Sequence, residues 1–229
     1  MGVKLDTLCA FVGTAVCLPL PFTSSICPEN SERLETSWEE MKTMSAEQIL
    51  NVLLHGNQLK RTQRTGWVQR GIADAENVAA HSFGVVFATL VLAQVISEPI
   101  DLGRALAMAA LHDLPEGLTT DIPTPAWRFL PAGVKQDVER RAMNEILNGN
   151  SSAQALMGLW EALHEEETAE SRLVHDADRL DMYLQAIVYE AQTGNQFLQE
   201  FWEKRATFYY PEATAVYELL LQRRQNTLA

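Results

Sequence analysis

From Ser45 to the C-terminus, apolar residues recur at the three- and four-residue spacing of a helix, and no run alternates as a strand bounded by turns would. The chain is therefore expected to be all-α. Ser45 and Gln48 have the form of a capping box ahead of Ile49, Val52, Leu53 and Leu59. Asn77 is placed to cap a long apolar stretch reaching about Ile96, and Asp101 to start another ending near Asp113. Pro115, Gly117, Pro123 and Pro125 forbid a continuous helix through 115–126, which reads as an ordered loop. A second loop, rich in Arg, Thr and Gly, runs from Arg61 to Asp74. Further helices are expected at about 131–147, 152–166, 169–193, 195–207 and 211–225, with Gly194 as a C-cap and Pro211 in a first turn.

Hydrophobic residues make up 47% of the 229, enough to bury a sizeable core, and the pattern reads as one all-α domain over 45–229. Residues 1–44 read as an extension. Lys4, the apolar run from Leu8 to Phe22 and Thr23-Ser24-Ser25 follow the order of an export signal, but Asp6, Pro19 and Pro21 break it. The run is too short and too interrupted to span a bilayer. A start at Met41 or Met44 would open directly onto the first helix. Cys9, Cys17 and Cys27 match no zinc or redox spacing, and residues 28–229 hold no cysteine, which suits a reducing compartment. The expected location is the cytoplasm. A net charge of −12 argues against a nucleic-acid polymer as partner, though a bound dication and local arginines still allow a small phosphate ester.

The chemistry sits in a few places. His81 lies in the first turns of an apolar helix, and His112-Asp113 ends the next one, just before the Pro/Gly loop. His175, Asp176, Asp178 and Asp181 lie inside a later helix, and Glu116 and Asp121 lie in the loop. Imidazoles and carboxylates together suit a borderline divalent cation, which offsets the cost of taking the carboxylates out of water. Two nitrogens and two carboxylates leave coordination positions open for water, as a hydrolase needs. A lone histidine in an apolar helix is more often a satisfied core residue, so the weight rests on the arrangement.

The order His81, His112-Asp113, Asp178 resembles the HD superfamily of metal-dependent phosphohydrolases. The flanking residues Arg64-Thr65-Gly66-Trp67, Glu76 to Ser82, His112 to Glu116, Thr119 to Pro125 and Asp178 with Tyr183-Leu184-Gln185 resemble its 5′-deoxynucleotidase family. The resemblance implies an HD-domain helical bundle with a single divalent-metal site, hydrolysing (deoxy)nucleoside 5′-monophosphates to nucleoside and phosphate. It implies His81, His112, Asp113 and Asp178 as metal ligands and Glu116 as an acidic residue beside the scissile phosphate. It also implies Asp121 as a carboxylate at the sugar and Trp67 as the aromatic that closes on it and disfavours a 2′-hydroxyl. Where some members carry an arginine immediately before that tryptophan, this chain has Gly66, so phosphate binding falls to Arg64 or Arg70. The ion is expected to be one divalent metal among Co, Mn, Mg, Zn and Fe.

Binuclear HD enzymes need extra histidines between the His-Asp pair and the last Asp. Only His164 and His175 lie there, both late, so one metal is expected. Helical geometry puts Asp181 and Gln185 on the face of Asp178, and His175 on the same side as a candidate partner behind it; an exposed polar face is an equal reading of His175, Asp176 and Asp181. The alternatives are an HD hydrolase of another phosphate ester, such as a nucleoside triphosphate or cyclic nucleotide, and a non-catalytic metal- or nucleotide-binding HD protein. The expected partner is a small nucleotide, with no membrane. Phe197, Phe201, Trp202, Phe208, Tyr209 and Tyr210 are expected to pack in the core or to form a homodimer interface.

Overall fold

The computed structural model describes residues 44–123, 126, 129–147 and 153–228, so the expectations for residues 1–43, and for Thr124 and Pro125, lie outside the described residues. It is all-helical among the residues described. In order, the helices are α1 (Ala46–Gln58), α2 (Thr65–Gln69), α3 (Val78–Leu92), α4 (Leu102–Leu111), α5 (Glu116–Thr119), α6 (Val134–Leu147), α7 (Gln154–Glu165), α8 (Ala169–Thr193) and α9 (Pro211–Leu228), with 3-10 turns at Leu59–Arg61 and Gln196–Trp202.

The starts follow the expected caps. Ser45 and Gln48 form the reciprocal capping box of α1, Asn77 accepts from the Ala80 N–H, and Asp101 accepts from the Arg104 N–H. Gly194 closes α8 in the left-handed conformation at φ 65°. Two short helices depart from expectation: α2 forms inside the Arg/Thr/Gly loop, and α5 makes one turn between Pro115 and Thr120. The expected helix over 195–207 is instead a 3-10 turn ending at Trp202.

The 25-residue α8 is the central element. Leu173, Ala177, Leu180 and Tyr183 on one face pack with Val85 and Leu92 of α3, Met108 of α4 and Tyr217 of α9 in the main core. A second cluster joins Leu59, Val78, Leu114, Met143, Ile146 and Trp160. A third places Trp67 and Ile72 against Ala186, Tyr189 and Leu198. Gly117 lets α5 meet α1 closely, since a Cβ there would lie 3.0 Å from the His55 carbonyl oxygen. The stripe on α1 stays largely exposed, with Ile49, Leu50, Leu53 and Leu54 each at 45% or more. Of the C-terminal aromatics, Tyr210 is buried, Phe201, Trp202 and Phe208 are half-buried, and Phe197 and Tyr209 are exposed.

Asp176 corrects the exposed-face reading. It is fully buried, and its two carboxylate oxygens accept the Tyr209 and Tyr210 N–H groups at 2.9 and 2.8 Å, fixing the entry to α9. Burial raises its pKa despite these bonds. Asp176→Ala leaves two backbone donors without that acceptor and should cost about 1–3 kcal/mol of folding stability. Urea denaturation is expected to show this as a lower midpoint, with bound metal retained in the folded variant.

Candidate metal centre

One bridge in the backbone brings two distant parts of the site together. Gln63 pairs antiparallel with Asn77, the Arg64 N–H donating to the Glu76 carbonyl at 3.0 Å and the Val78 N–H to the Thr62 carbonyl at 2.8 Å. Arg64 is thereby held beside the start of α3, one turn before His81. His112 and Asp113 follow the last residue of α4, where relaxing backbone lets adjacent side chains converge. Asp178 comes from the middle of α8, which crosses against α3.

These side chains meet. His81 Nε2 lies 3.0 Å from Asp178 Oδ1 and 3.7 Å from Asp113 Oδ2, and His112 Nε2 lies 3.2 Å from Asp113 Oδ2. Nitrogens of His81 and His112 and an oxygen of Asp113 fall within 4.8 Å of one another. The donor chemistry fits a dication. Both Nε2 atoms are buried without a hydrogen bond of sound geometry, while both Nδ1 atoms are committed. His112 Nδ1–H donates to the Ala109 carbonyl at 2.7 Å. His81 Nδ1 lies 2.7 Å from Asp181 Oδ2, and since a carboxylate only accepts, Nδ1 carries the proton. In each neutral ring the bare nitrogen is then the one facing the carboxylates, the tautomer a metal ligand needs.

Asp181, which sequence reasoning left open between the Asp178 face and an exposed one, meets the back of His81. It is only partly exposed and reaches His81 because Gly84 makes room: a Cβ on Gly84 would stand 2.0 Å from Asp181 Oδ1. His175 does not take the place behind Asp178 considered for it. Its Nε2 lies 3.0 Å from the Leu163 carbonyl and 3.7 Å from Glu166, at the end of α7.

The electrostatics describe a cage waiting for positive charge. Burial and Arg64 push the His81 pKa down, but Asp178 and Asp181 outweigh them and raise it to about 10. Burial opposes the ionised forms of Asp113 and Asp178. The neighbouring imidazoles, with Arg64 at 3.2 Å in the case of Asp113, still hold both below the usual carboxylate range. Glu116 behaves in the opposite way. Burial, then the negative charges of Asp113 and Asp121, push it up to about 9, and its Oε2 is buried without a hydrogen-bond partner.

A cavity of about 260 Å³ opens over this floor, lined by Arg64, Trp67, Arg70, Glu116 and Asp121 among others. Trp67 is 2% exposed, its indole N–H donating to Glu76 at 2.9 Å and its ring packed 4.8 Å from Phe201. Asp121 accepts the Thr65 N–H at 2.6 Å, which ties the Pro/Gly loop to α2. Arg70 donates to the Gly66 carbonyl at 2.7 Å, pairs with Glu200 and lies 4.5 Å over Phe201. Sequence reasoning gave no role to Glu76, which holds Trp67, or to Lys135, Arg179 and Met182, which line this space; a glutamate or lysine at a helix edge carries no local signal of what it faces.

An all-helical bundle around a two-His, two-Asp cage defines the HD-domain class, and comparison with known proteins agrees. The HD domain family model matches residues 56–216, and the chain belongs to that family. It is 32% identical over 176 residues to the 5′-deoxynucleotidase HDDC2 of Danio rerio, spanning 75% of this chain and 86% of that one. It is also 32% identical over 189 residues to the Homo sapiens protein of the same name, spanning 80% and 90%. Among solved structures, the PH0347 protein from Pyrococcus horikoshii OT3 superposes with a TM-score of 0.63 at 36% identity, covering 79% of this chain and 99% of that one.

Two outcomes test the cage. Gly84→Ala should displace Asp181, free the His81 ring and weaken metal binding about 10- to 100-fold, as loss of a partner behind a ligand does; a competition assay with a chromogenic chelator reads this. The raised His81 pKa also sets a sign. Below about pH 10 a proton occupies Nε2, so metal must displace it, and affinity should climb as pH rises from 6 to 9. Calorimetry in buffers of different ionisation heat should show protons released at pH 7.5.

Proposed function

We propose that this protein is a metal-dependent phosphomonoester hydrolase of nucleoside 5′-monophosphates, with preference for deoxyribose. The observation that carries the reading is the juxtaposition of the His81, His112, Asp113, Asp178 cage with buried, unpartnered Glu116 under a cavity bordered by Arg64 and Trp67. The names of the HDDC2 relatives support it. One divalent cation is proposed, and when bound it supplies Lewis acidity toward the phosphate and lowers the pKa of water.

The chain's own residues then divide the work. Arg64 is proposed to meet the phosphate, a reading supported by its lying 3.2 Å from Asp113; Arg70, tied to Gly66, Glu200 and Phe201, is proposed to shape the wall instead. Glu116 is the group that holds or passes a proton. A carboxyl pushed up to about 9 carries its proton at neutral pH, and a dication beside Asp113 lowers that value toward the working range. The proton can move between the attacking water and the departing 5′-oxygen, so that P–O bond formation and cleavage leave a neutral nucleoside and phosphate. Asp121, fixed through Thr65, and Trp67, fixed through Glu76, are proposed to meet the sugar. Their anchoring makes a wall that does not yield to an added 2′-hydroxyl, and a 260 Å³ space suits one nucleotide better than a polymer.

The HD domain is taken to run over 45–229, with residues 1–44 as an extension. No helix among the described residues is long and apolar enough to cross a membrane. We further propose a cytoplasmic homodimer acting on free nucleotides, with no nucleic-acid polymer or membrane as partner.

The test is a panel of deoxy- and ribonucleoside 5′-monophosphates, triphosphates and cyclic nucleotides with the metal-loaded protein, read by phosphate release. Hydrolysis of deoxynucleoside monophosphates above their ribose counterparts is expected; turnover confined to triphosphates or cyclic nucleotides contradicts the reading. Glu116→Gln should lower kcat about 100-fold or more, the scale of a lost proton-transfer group. Its metal content should stay unchanged.

A further inference from the structure

Behind the floor of the site lies a second cavity of about 510 Å³, reaching between α6, α7 and α8. Asp113, Lys135, Asp178 and Arg179 line both cavities. Two of these are proposed metal ligands. The other two are cations, and they differ in how they are held. Arg179 donates to the Thr207 carbonyl at 2.6 Å, which draws its guanidinium toward the α9 side. Lys135 stands in the first turn of α6, and its ammonium lies 3.4 Å from Glu139 Oε1, one turn along the same helix.

Lys135 lines the same cavity as Asp113, Glu116 and Asp178, so it borders the proposed reaction centre. Burial pushes its pKa down, but Glu139, Asp113 and Glu116 outweigh that and raise it, so the ammonium is charged at neutral pH. The effect is mutual, since Lys135 lowers the pKa of Glu116. Its side chain is 53% exposed, so the pair with Glu139 is partly screened and breaking it costs little. A phosphate monoester is a dianion, and its non-bridging oxygens point in more than one direction. Arg64 arrives from the α2 side and the cage lies below, while Lys135 enters from α6.

Resting on the function proposed above, we infer that Lys135 is a phosphate-binding residue, its ammonium passing from Glu139 to a phosphate oxygen across from Arg64. No covalent step is involved. A lysine is suited to this place because it acts as a point charge on a flexible stem and can follow the phosphate as the 5′-oxygen departs. The interaction serves substrate and inorganic phosphate alike and ignores the nucleoside.

The experiment uses the metal-loaded full chain, with inorganic phosphate and a deoxynucleoside as separate calorimetric probes. Lys135→Met keeps the apolar stem and removes the charge; Lys135→Arg keeps the charge. Phosphate affinity should fall about tenfold or more in Lys135→Met, the scale of a lost charge-assisted hydrogen bond, and return to within about threefold of wild type in Lys135→Arg. Deoxynucleoside affinity and metal content should be unchanged in both. Wild-type phosphate affinity in Lys135→Met overturns the inference, and so does an equal loss of phosphate and deoxynucleoside binding, or no recovery in Lys135→Arg. Failure of the wild-type protein to hydrolyse any nucleoside monophosphate is a different result and removes the proposed function itself.

Discussion

His81 is 1% exposed, sits between two carboxylates, and is locked by the hydrogen bond from its Nδ1 to Asp181. That bond exists because residue 84, three positions along α3, has no side chain; any Cβ there would collide with the Asp181 carboxylate. The ring orientation that follows turns Nε2 toward Asp178 and Asp113. From this contact the rest of the centre takes its shape: α3 and α8 must pack at close range, and Asp178 must face inward. The charge gathered inside the bundle must then be matched by a cation. The His81 ring and the Arg64 guanidinium supply positive charge here, which goes with the raised His81 pKa and the lowered pKa values of the two aspartates.

Around this centre the bundle separates rigid tasks from adjustable ones. The proposed ligands come from helix bodies and one helix end, anchored in apolar clusters that include Val85, Leu173 and Ala177. The groups proposed to meet substrate come from short or irregular elements: Arg64 and Trp67 from a loop and α2, Glu116 from a single turn, Asp121 from the segment after it. That division lets the loops and short helices set which ester enters while the buried helices keep the cage constant.

Much of the fold was legible in residue order because several long helices carry a local start or stop signal: the Ser45–Gln48 box, Asn77, Asp101, Gly194 and Pro211 act within one turn of themselves. The short helices escaped because α2 and α5 depend on tertiary ties, Thr65 to Asp121 and Gly117 against α1. In the site, His81 and His112-Asp113 stood out by being polar in apolar helices. Asp178 did not separate from His175 and Asp176 on local grounds, since all three share one helix; only the resemblance favoured it. The structure distinguishes them physically: His175 turns to the end of α7, Asp176 caps the entry to α9, and Asp178 meets His81. The surroundings of Asp181 and Lys135 were not legible because they are set by other elements: Asp181 meets His81, 100 residues away, and Lys135 shares a cavity lining with Asp113 and Glu116.

The central claim is a single dication held by four named side chains, with Asp178 rather than its neighbours as the fourth. Elemental analysis of protein purified without chelator tests it most directly, comparing wild type with Asp178→Ala and His175→Ala. The account predicts one divalent ion per chain in wild type and in His175→Ala, and a loss of bound metal in folded Asp178→Ala. Two ions per chain, or full occupancy in Asp178→Ala with loss in His175→Ala, would contradict it.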